Sequence, residues 1–247
     1  MSSRLLSLPG ADPFGRLGQE TGDLGSVSAV VMLGGCGDSP AEQLVHGARR
    51  EAMHASLAAL IASQRIARVV IAAPQSELDA LSPPVDGKLT LDPDALGDSF
   101  HFGRRLGAIA ARYNLDRLIY LGGGSAPLLP TDELDAVIDE IETAPARHAV
   151  TNNLYSSDWI AMTEARTLQG FAERLPQDNM LGWVLQEEIG YTVRALPPEA
   201  ATRVDIDTPA DLLALYWHPA CPVNLRAYLD VHMPAESLER WRAAGRA

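Results

Sequence analysis

A chain of 247 residues that is 47% hydrophobic can bury one sizeable core. Its formal net charge of −12 and isoelectric point near 4.9 deny it the clustered lysine and arginine of a nucleic-acid groove, so no nucleic-acid partner is expected. Two distant cysteines, Cys36 and Cys221, exclude a disulfide framework and a zinc site and suit a reducing cytoplasm, and no apolar run reaches the length of a membrane span.

Residues 1–25 are too polar and glycine-rich for a signal peptide and read as a loosely ordered leader. Residues 27–33, "VSAVVML", are a continuous β-branched apolar run, the pattern of a buried parallel strand. Helical spacing follows over 40–63, from Leu44 to Ile61. A second buried strand is expected at 68–74 and a third at 117–121, with a helix over 99–114 between them. Prolines and glycines mark 76–97 as irregular. A helix over 131–142 carries Asp132 and Glu133 in its first turn, where the helix dipole favours anions.

This βα, βα, βα order predicts an α/β fold with a mostly parallel sheet sandwiched by helices. The second half is more mixed. "RHAVTNN" and "SDWIAMT" read as strands, antiparallel across a polar loop, and "EARTLQGFAERL" as a helix. The next helix, "DNMLGWVLQEEIG", takes Asp178 as its N-cap and stops at Gly190. "YTVRALP" and "TRVDID" read as strands, "TPADLLALYW" as a helix, and two further helices close the chain. The expected organisation is one domain over 26–217, with 218–247 a helical extension packed on it.

Ligands of open parallel sheets bind beyond the carboxyl ends of the strands, where three loops are candidates. In "GGCGDSP", Gly34, Gly35 and Gly37 let backbone approach a phosphate or base, although a tight turn explains the loop equally well. In "GGGSAP", Gly123, Gly124 and Ser125 follow a buried strand. In "RVDIDTPADL", Asp205 and Asp207 would point to one face of a strand end, a candidate divalent-metal pair. Thr208, Pro209 and Asp211 there are explained as a capping box with proline at the first helical position. Asn152, Asn153 and Asp158 lie in a polar stretch suited to a substrate, or to an ordinary hairpin loop. Arg49 and Arg50 are candidate phosphate clamps, and His46, His54 and His101 are taken as packing or surface residues.

Three segments, "AVVMLGGCG", "LGGGSAPLLPTDELDAVI" and "VDIDTPADLLAL", together resemble the glycosyltransferase-A-like nucleotidyltransferases. That superfamily includes the molybdenum-cofactor and phospholactate guanylyltransferases and the sugar-nucleotide pyrophosphorylases. The likeness spans roughly 27–217 and is carried most by the last segment. It implies an NTP substrate, Mg²⁺, a small phosphorylated or acidic acceptor and release of pyrophosphate. Gly34, Gly35, Gly37, Gly123, Gly124 and Ser125 are expected to hold the nucleotide, with Arg49, Arg50 and Asp158 in catalytic roles. Asn152 and Asn153 are expected to meet the acceptor, and Asp205 or Asp207, with Asp158 as a further candidate, to hold the metal. The chain departs from the family twice: it offers no lysine after the first loop, and Ser125 stands where the family has a metal-binding aspartate. The alternatives are a catalytically inactive nucleotide- or nucleotide-sugar-binding protein, and a glycosyltransferase using a nucleotide-sugar donor. A homo-oligomer stays open.

Overall fold

The computed structural model describes residues 26–95 and 99–244, so the leader expected at 1–25 lies outside the described residues. The first strand, β1 (Val27–Met32), is buried along its whole length, as its unbroken apolar run demands. It lies between two parallel partners, β2 (Ile66–Ala73) and β4 (Arg117–Gly122). Beyond β2 comes β3 (Leu89–Pro93), also parallel. On the far side of β4 lie β6 (Trp159–Met162), β5 (His148–Thr151) and β7 (Thr192–Ala195), giving the order β3-β2-β1-β4-β6-β5-β7. Strand β6 runs antiparallel to both its neighbours, while β5 and β7 are parallel. The mostly parallel sheet and the mixed second half are as the sequence patterns predict.

Alternate residues of the strands feed two cores. Ala29, Val31 and Ile119 pack with Met53, Leu57, Leu134 and Ile138, the apolar faces of helices α1 (Pro40–Ala62) and α4 (Thr131–Thr143). Val30, Met32 and Tyr120 pack on the opposite face with Phe102, Leu106 and Ile109 of α3 (Phe102–Arg112). Between β2 and β3 sits α2 (Gln75–Leu81), with Leu78 and Leu81 buried.

The structure corrects several sequence expectations. The stretch 76–97 contains α2 and β3 rather than being irregular throughout. Strand β3 is short and holds Asp92, a charge that strand patterns disfavour. Asp92 is 1% exposed and is held by Arg105 and Arg112 at 2.9 and 2.8 Å, partners that lie on α3 and are invisible to local pattern. The helix expected over 164–175 is broken into a 3₁₀ turn at Ala165–Thr167, a short α5 (Leu168–Phe171) and a second 3₁₀ turn at Ala172–Arg174. Asp178 is not an N-cap: α6 (Leu181–Val184) starts after Met180 and runs into a π-helical turn at Leu185–Ile189. The expected stop at Gly190 is present, with φ +80°. The strand expected at 202–207 is a 3₁₀ turn at Ala201–Arg203 followed by an extended segment.

Close approach explains one glycine of α3. A Cβ on Gly103 would strike the carbonyl of Ala172 and come within 2.8 Å of the Leu175 Cβ. Gly103→Ala is therefore expected to destabilise by about 2 kcal/mol, read as a lower denaturant midpoint with unchanged slope.

The C-terminal part is built on α1. Helix α7 (Pro209–Trp217) opens with the predicted cap: Asp211 Oδ2 accepts from the Thr208 backbone N–H at 2.7 Å and from its hydroxyl at 2.9 Å. Helices α8 (Val223–His232) and α9 (Ala235–Ala244) follow. A third core joins Val45, Ala48 and Ala52 of α1 to Leu212, Leu225 and Leu229.

Candidate functional site

Chain connections leave β1 toward β2 on one side and reach β4 on the other, so the β1/β4 pair is the switch point of the sheet, where open α/β sheets form ligand crevices. A cleft of about 480 Å³ opens there. Its floor is Leu33, Gly34 and Gly35 after β1, and Gly122 to Ser125 after β4.

The glycines of these two loops differ in what requires them. On Gly123 a Cβ would lie 2.6 Å from Leu33 Cδ1, and on Gly124 it would lie 2.9 Å from Arg49 Cγ and 3.0 Å from the Ile206 carbonyl. On Gly37 it would collide with the Glu42 carboxylate. That carboxylate is engaged in the capping box that opens α1, accepting from the Ser39 N–H at 3.0 Å. Internal packing thus accounts for these three. Around Gly34 and Gly35 a Cβ would meet nothing within 4 Å, and neither residue has a positive φ. Nothing in the described fold requires glycine at 34 and 35, and both face the cleft.

Ser125 is 4% exposed. Its hydroxyl donates to the Asp158 carbonyl at 2.8 Å, and that carbonyl also accepts from the Gly122 N–H at 2.8 Å. The side chain therefore clamps the glycine loop to the start of β6, work that a carboxylate, having no proton to donate, could not do. The next residue, Ala126, sits in the left-handed region at φ 51°. Its N–H donates to Val204, and the Ile206 N–H donates to Gly124, which brings the segment 204–207 against the loop. Ser125→Ala is expected to cost about 1 kcal/mol, read as a lower unfolding midpoint.

Arg49 reaches the cleft from α1, but its guanidinium is committed. Nε donates to the Ile206 carbonyl at 2.6 Å, and Nη2 pairs with Asp207 at 2.7 Å. Besides Asp207, the cleft wall carries Asp158, Asp178 and Asp205. Asp178 Oδ2 accepts from the buried Tyr120 hydroxyl at 2.7 Å, and burial with the Asp178 charge pushes that phenol well above its ordinary range. Burial, and then the charges of Asp158 and Asp207, push Asp205 up to about 7. Burial and the Asp178 charge raise Asp158.

The donor chemistry fits a hard divalent cation, since desolvated carboxylates that raise one another are short of positive charge. With Asp207 held by Arg49, Asp158 and Asp205 are the residues that would hold it. Among the described residues no group of three histidine, cysteine, aspartate or glutamate side chains is placed to hold a metal alone. A one- or two-carboxylate site completed by water and phosphate oxygens is the arrangement Mg²⁺ ordinarily takes.

Not every residue singled out from sequence reaches the cleft. Gly34, Gly35, Arg49, Gly123, Gly124, Ser125, Asp158, Asp205 and Asp207 line it, whereas Arg50, Asn152 and Asn153 do not. Asn152 is 3% exposed and its Oδ1 accepts from the Thr151 hydroxyl. Asn153 closes its own turn, accepting from the Tyr155 N–H through Oδ1 and from the Ser157 hydroxyl through its carbonyl. These are hairpin-loop roles. Gly37 lines a side pocket behind Arg49. Conversely, His46, Phe100, Tyr120 and Asp178 line the cleft without having been taken as site residues. Phe100 and Asp178 converge because the Phe102 and Gly103 N–H groups donate to Pro176 and Leu175, a pairing with no local sequence signal.

The fold is similar to that of solved cytidylyltransferases and of a nucleotide-diphospho-sugar transferase. It is similar to a cytidylyltransferase from Leptospira borgpetersenii, with a TM-score of 0.56 and 16% identity over 83% of this chain and 94% of that one. The 4-diphosphocytidyl-2C-methyl-D-erythritol synthase of Anaerococcus prevotii matches with a TM-score of 0.54 and 14% identity, over 84% and 97% of the two chains. A CMP:2-keto-3-deoxy-manno-octonic acid synthetase complexed with CTP matches with a TM-score of 0.52 and 16% identity, over 76% and 96%. No family model and no curated protein matches the chain by sequence. No helix among the described residues is long and apolar enough to cross a membrane.

Proposed function

We propose that the protein is a nucleotidyltransferase: it binds a nucleoside triphosphate at the β1/β4 cleft and transfers the nucleoside monophosphate to a small acceptor, releasing pyrophosphate. The observation that carries this reading is the open space around Gly34 and Gly35 at the switch point. Two successive residues with no side chain, no positive φ and no neighbour to avoid form a stretch of cleft lining that a base or ribose can approach closely. The fold neighbours that bear cytidylyltransferase and synthetase names support nucleotidyl transfer over other uses of the fold.

In this reading the chain positions the reactants and supplies charge, which is what phosphoryl chemistry chiefly needs. Bound Mg²⁺ would supply neutralisation of the triphosphate charge, and Asp158 and Asp205 would hold it. Arg49 orders the site by fixing the 204–207 segment against the glycine loop. Tyr120 orients Asp178 at the rim. A second reading, nucleotide binding without turnover, draws on one observation: Ser125 acts as an internal clamp where the resembled family places a metal-binding carboxylate.

A thermal-shift panel of the four NTPs and of nucleotide sugars, each with and without Mg²⁺, tests the proposal. At a hundred times its dissociation constant a ligand stabilises by about 2.7 kcal/mol. The expected result is a Mg²⁺-dependent rise with one or more NTPs, and pyrophosphate release once an acceptor is added. A rise with nucleotide sugars alone would point to the glycosyltransferase alternative.

A further inference from the structure

His46 is 8% exposed and lines both the main cleft and a side pocket of about 260 Å³. Its Nε2 is 2.7 Å from Glu77 Oε2 on α2. Its other ring nitrogen, Nδ1, has no partner among the described residues. A carboxylate that accepts the Nε2 proton fixes the tautomer and leaves Nδ1 a lone-pair acceptor. The ionisable groups that share its surroundings are Glu77 from α2, Asp207 from the 204–207 segment, Cys36 from the first loop, and Glu42 and Arg49 of its own helix.

The charge balance of the cleft gives this dyad a chemical context. Among the described residues four aspartates line the cleft, and the one arginine there, Arg49, is tied to Asp207 and Ile206. The chain's only lysine, Lys88, is spent on the Ile61 and Ser63 carbonyls. A phosphate monoester is already anionic near neutral pH and needs no base to attack, but it would enter against these carboxylates. A hydroxyl enters without that penalty, yet it must lose a proton as it attacks, so it needs an acceptor within reach.

We infer that His46, held by Glu77, is the proton acceptor for a hydroxyl nucleophile, so that the acceptor substrate of this site joins the nucleotide through a hydroxyl group rather than through a phosphate. The inference rests on the nucleotidyltransferase reading. In the step, the hydroxyl oxygen forms a bond to the α-phosphorus as its O–H bond breaks and the proton passes to Nδ1. The bond from the α-phosphorus to the bridging oxygen breaks, and pyrophosphate leaves with that electron pair. Deprotonation of the imidazolium by solvent completes the cycle.

The test measures pyrophosphate release from the four NTPs with Mg²⁺ across a pH series. The nucleophile probes are glycerol, erythritol and ribitol, water as the smallest hydroxyl, and the monophosphates of the three polyols. Turnover is expected with hydroxyl nucleophiles, with a rate that rises as the imidazole loses its proton. His46→Gln is expected to lower kcat about 100-fold, to remove that rise and to leave KM for the NTP unchanged. Glu77→Gln, which keeps the imidazole, should lower kcat less, and it serves as the test should His46→Gln not fold. Wild-type kcat and pH profile in His46→Gln, turnover confined to the monophosphates, or no release from any hydroxyl probe in a protein that binds NTP would each overturn the inference. Failure to bind any NTP in calorimetric titration would instead overturn the nucleotide reading beneath it.

Discussion

Gly35→Val is expected to weaken NTP binding by at least about 100-fold, close to 2.7 kcal/mol, while leaving the unfolding midpoint unchanged. The two halves of this expectation have separate causes. The fold tolerates the side chain because a Cβ at 35 meets nothing within 4 Å and the backbone φ is not positive. Binding does not tolerate it because the added isopropyl group occupies the cleft floor, where the ligand is proposed to meet the backbone. Gly124→Val is the contrast. There the side chain meets Arg49 and the Ile206 carbonyl, so a loss of stability should accompany any loss of binding. Thermal unfolding and calorimetric titration of both variants check the pair of expectations. Unchanged NTP affinity in a folded Gly35→Val protein would remove the first loop from the site.

Asp205→Asn is expected to stabilise the metal-free protein at pH 8 by about 2 kcal/mol, a rise of about 5 °C in the unfolding midpoint. The sign follows from the direction of the shift. In the unfolded chain this carboxyl has an ordinary value near 3.8, and in the fold burial and the charges of Asp158 and Asp207 raise it to about 7. Between those values the folded protein holds a proton that the unfolded chain has released. Stability from this group is therefore complete below pH 4, falls as pH rises and is lost above pH 7. Asparagine carries no charge to be penalised, and its carbonyl can still accept from the Ile206 N–H as Asp205 does at 2.8 Å. The advantage of the variant should thus be large at pH 8 and vanish near pH 4. Mg²⁺ should reverse the order at pH 8, raising the wild-type midpoint and leaving Asp205→Asn in place, if Asp158 and Asp205 hold the cation. Such a residue trades stability for a site. A variant no more stable than wild type at pH 8 would contradict this account of the cleft electrostatics.

The elements most legible in the sequence were those whose cause is local. The unbroken apolar runs of β1, β2 and β4 require burial on both faces wherever they occur. The Thr208-Pro209-Asp211 cap needs only residues a few positions apart. The turn at 122–127 and the first glycine loop were visible for the same reason. What stayed hidden depends on residues far apart in the chain. Asp178 belongs to the cleft because Tyr120, 58 positions away, holds it there. His46 does so because Glu77, 31 positions away, takes one ring nitrogen. Asn152 and Asn153 show the converse ambiguity, since polar side chains that close a hairpin have the same composition as side chains that bind a sugar. The glycines divided only when their surroundings were known. Gly37, Gly123 and Gly124 serve packing, while Gly34 and Gly35 face open space.

The central claim is that the β1/β4 cleft binds a nucleoside triphosphate with the help of a divalent cation. Isothermal titration of the wild-type protein with CTP, ATP, GTP and UTP, each with Mg²⁺ and again with the cation removed by chelation, tests it most directly. The predicted result is saturable one-site binding of at least one NTP, weakened at least about tenfold without Mg²⁺ because the cleft aspartates then face the triphosphate without the cation's charge. Absence of binding by all four, or binding of equal strength with and without Mg²⁺, would contradict it.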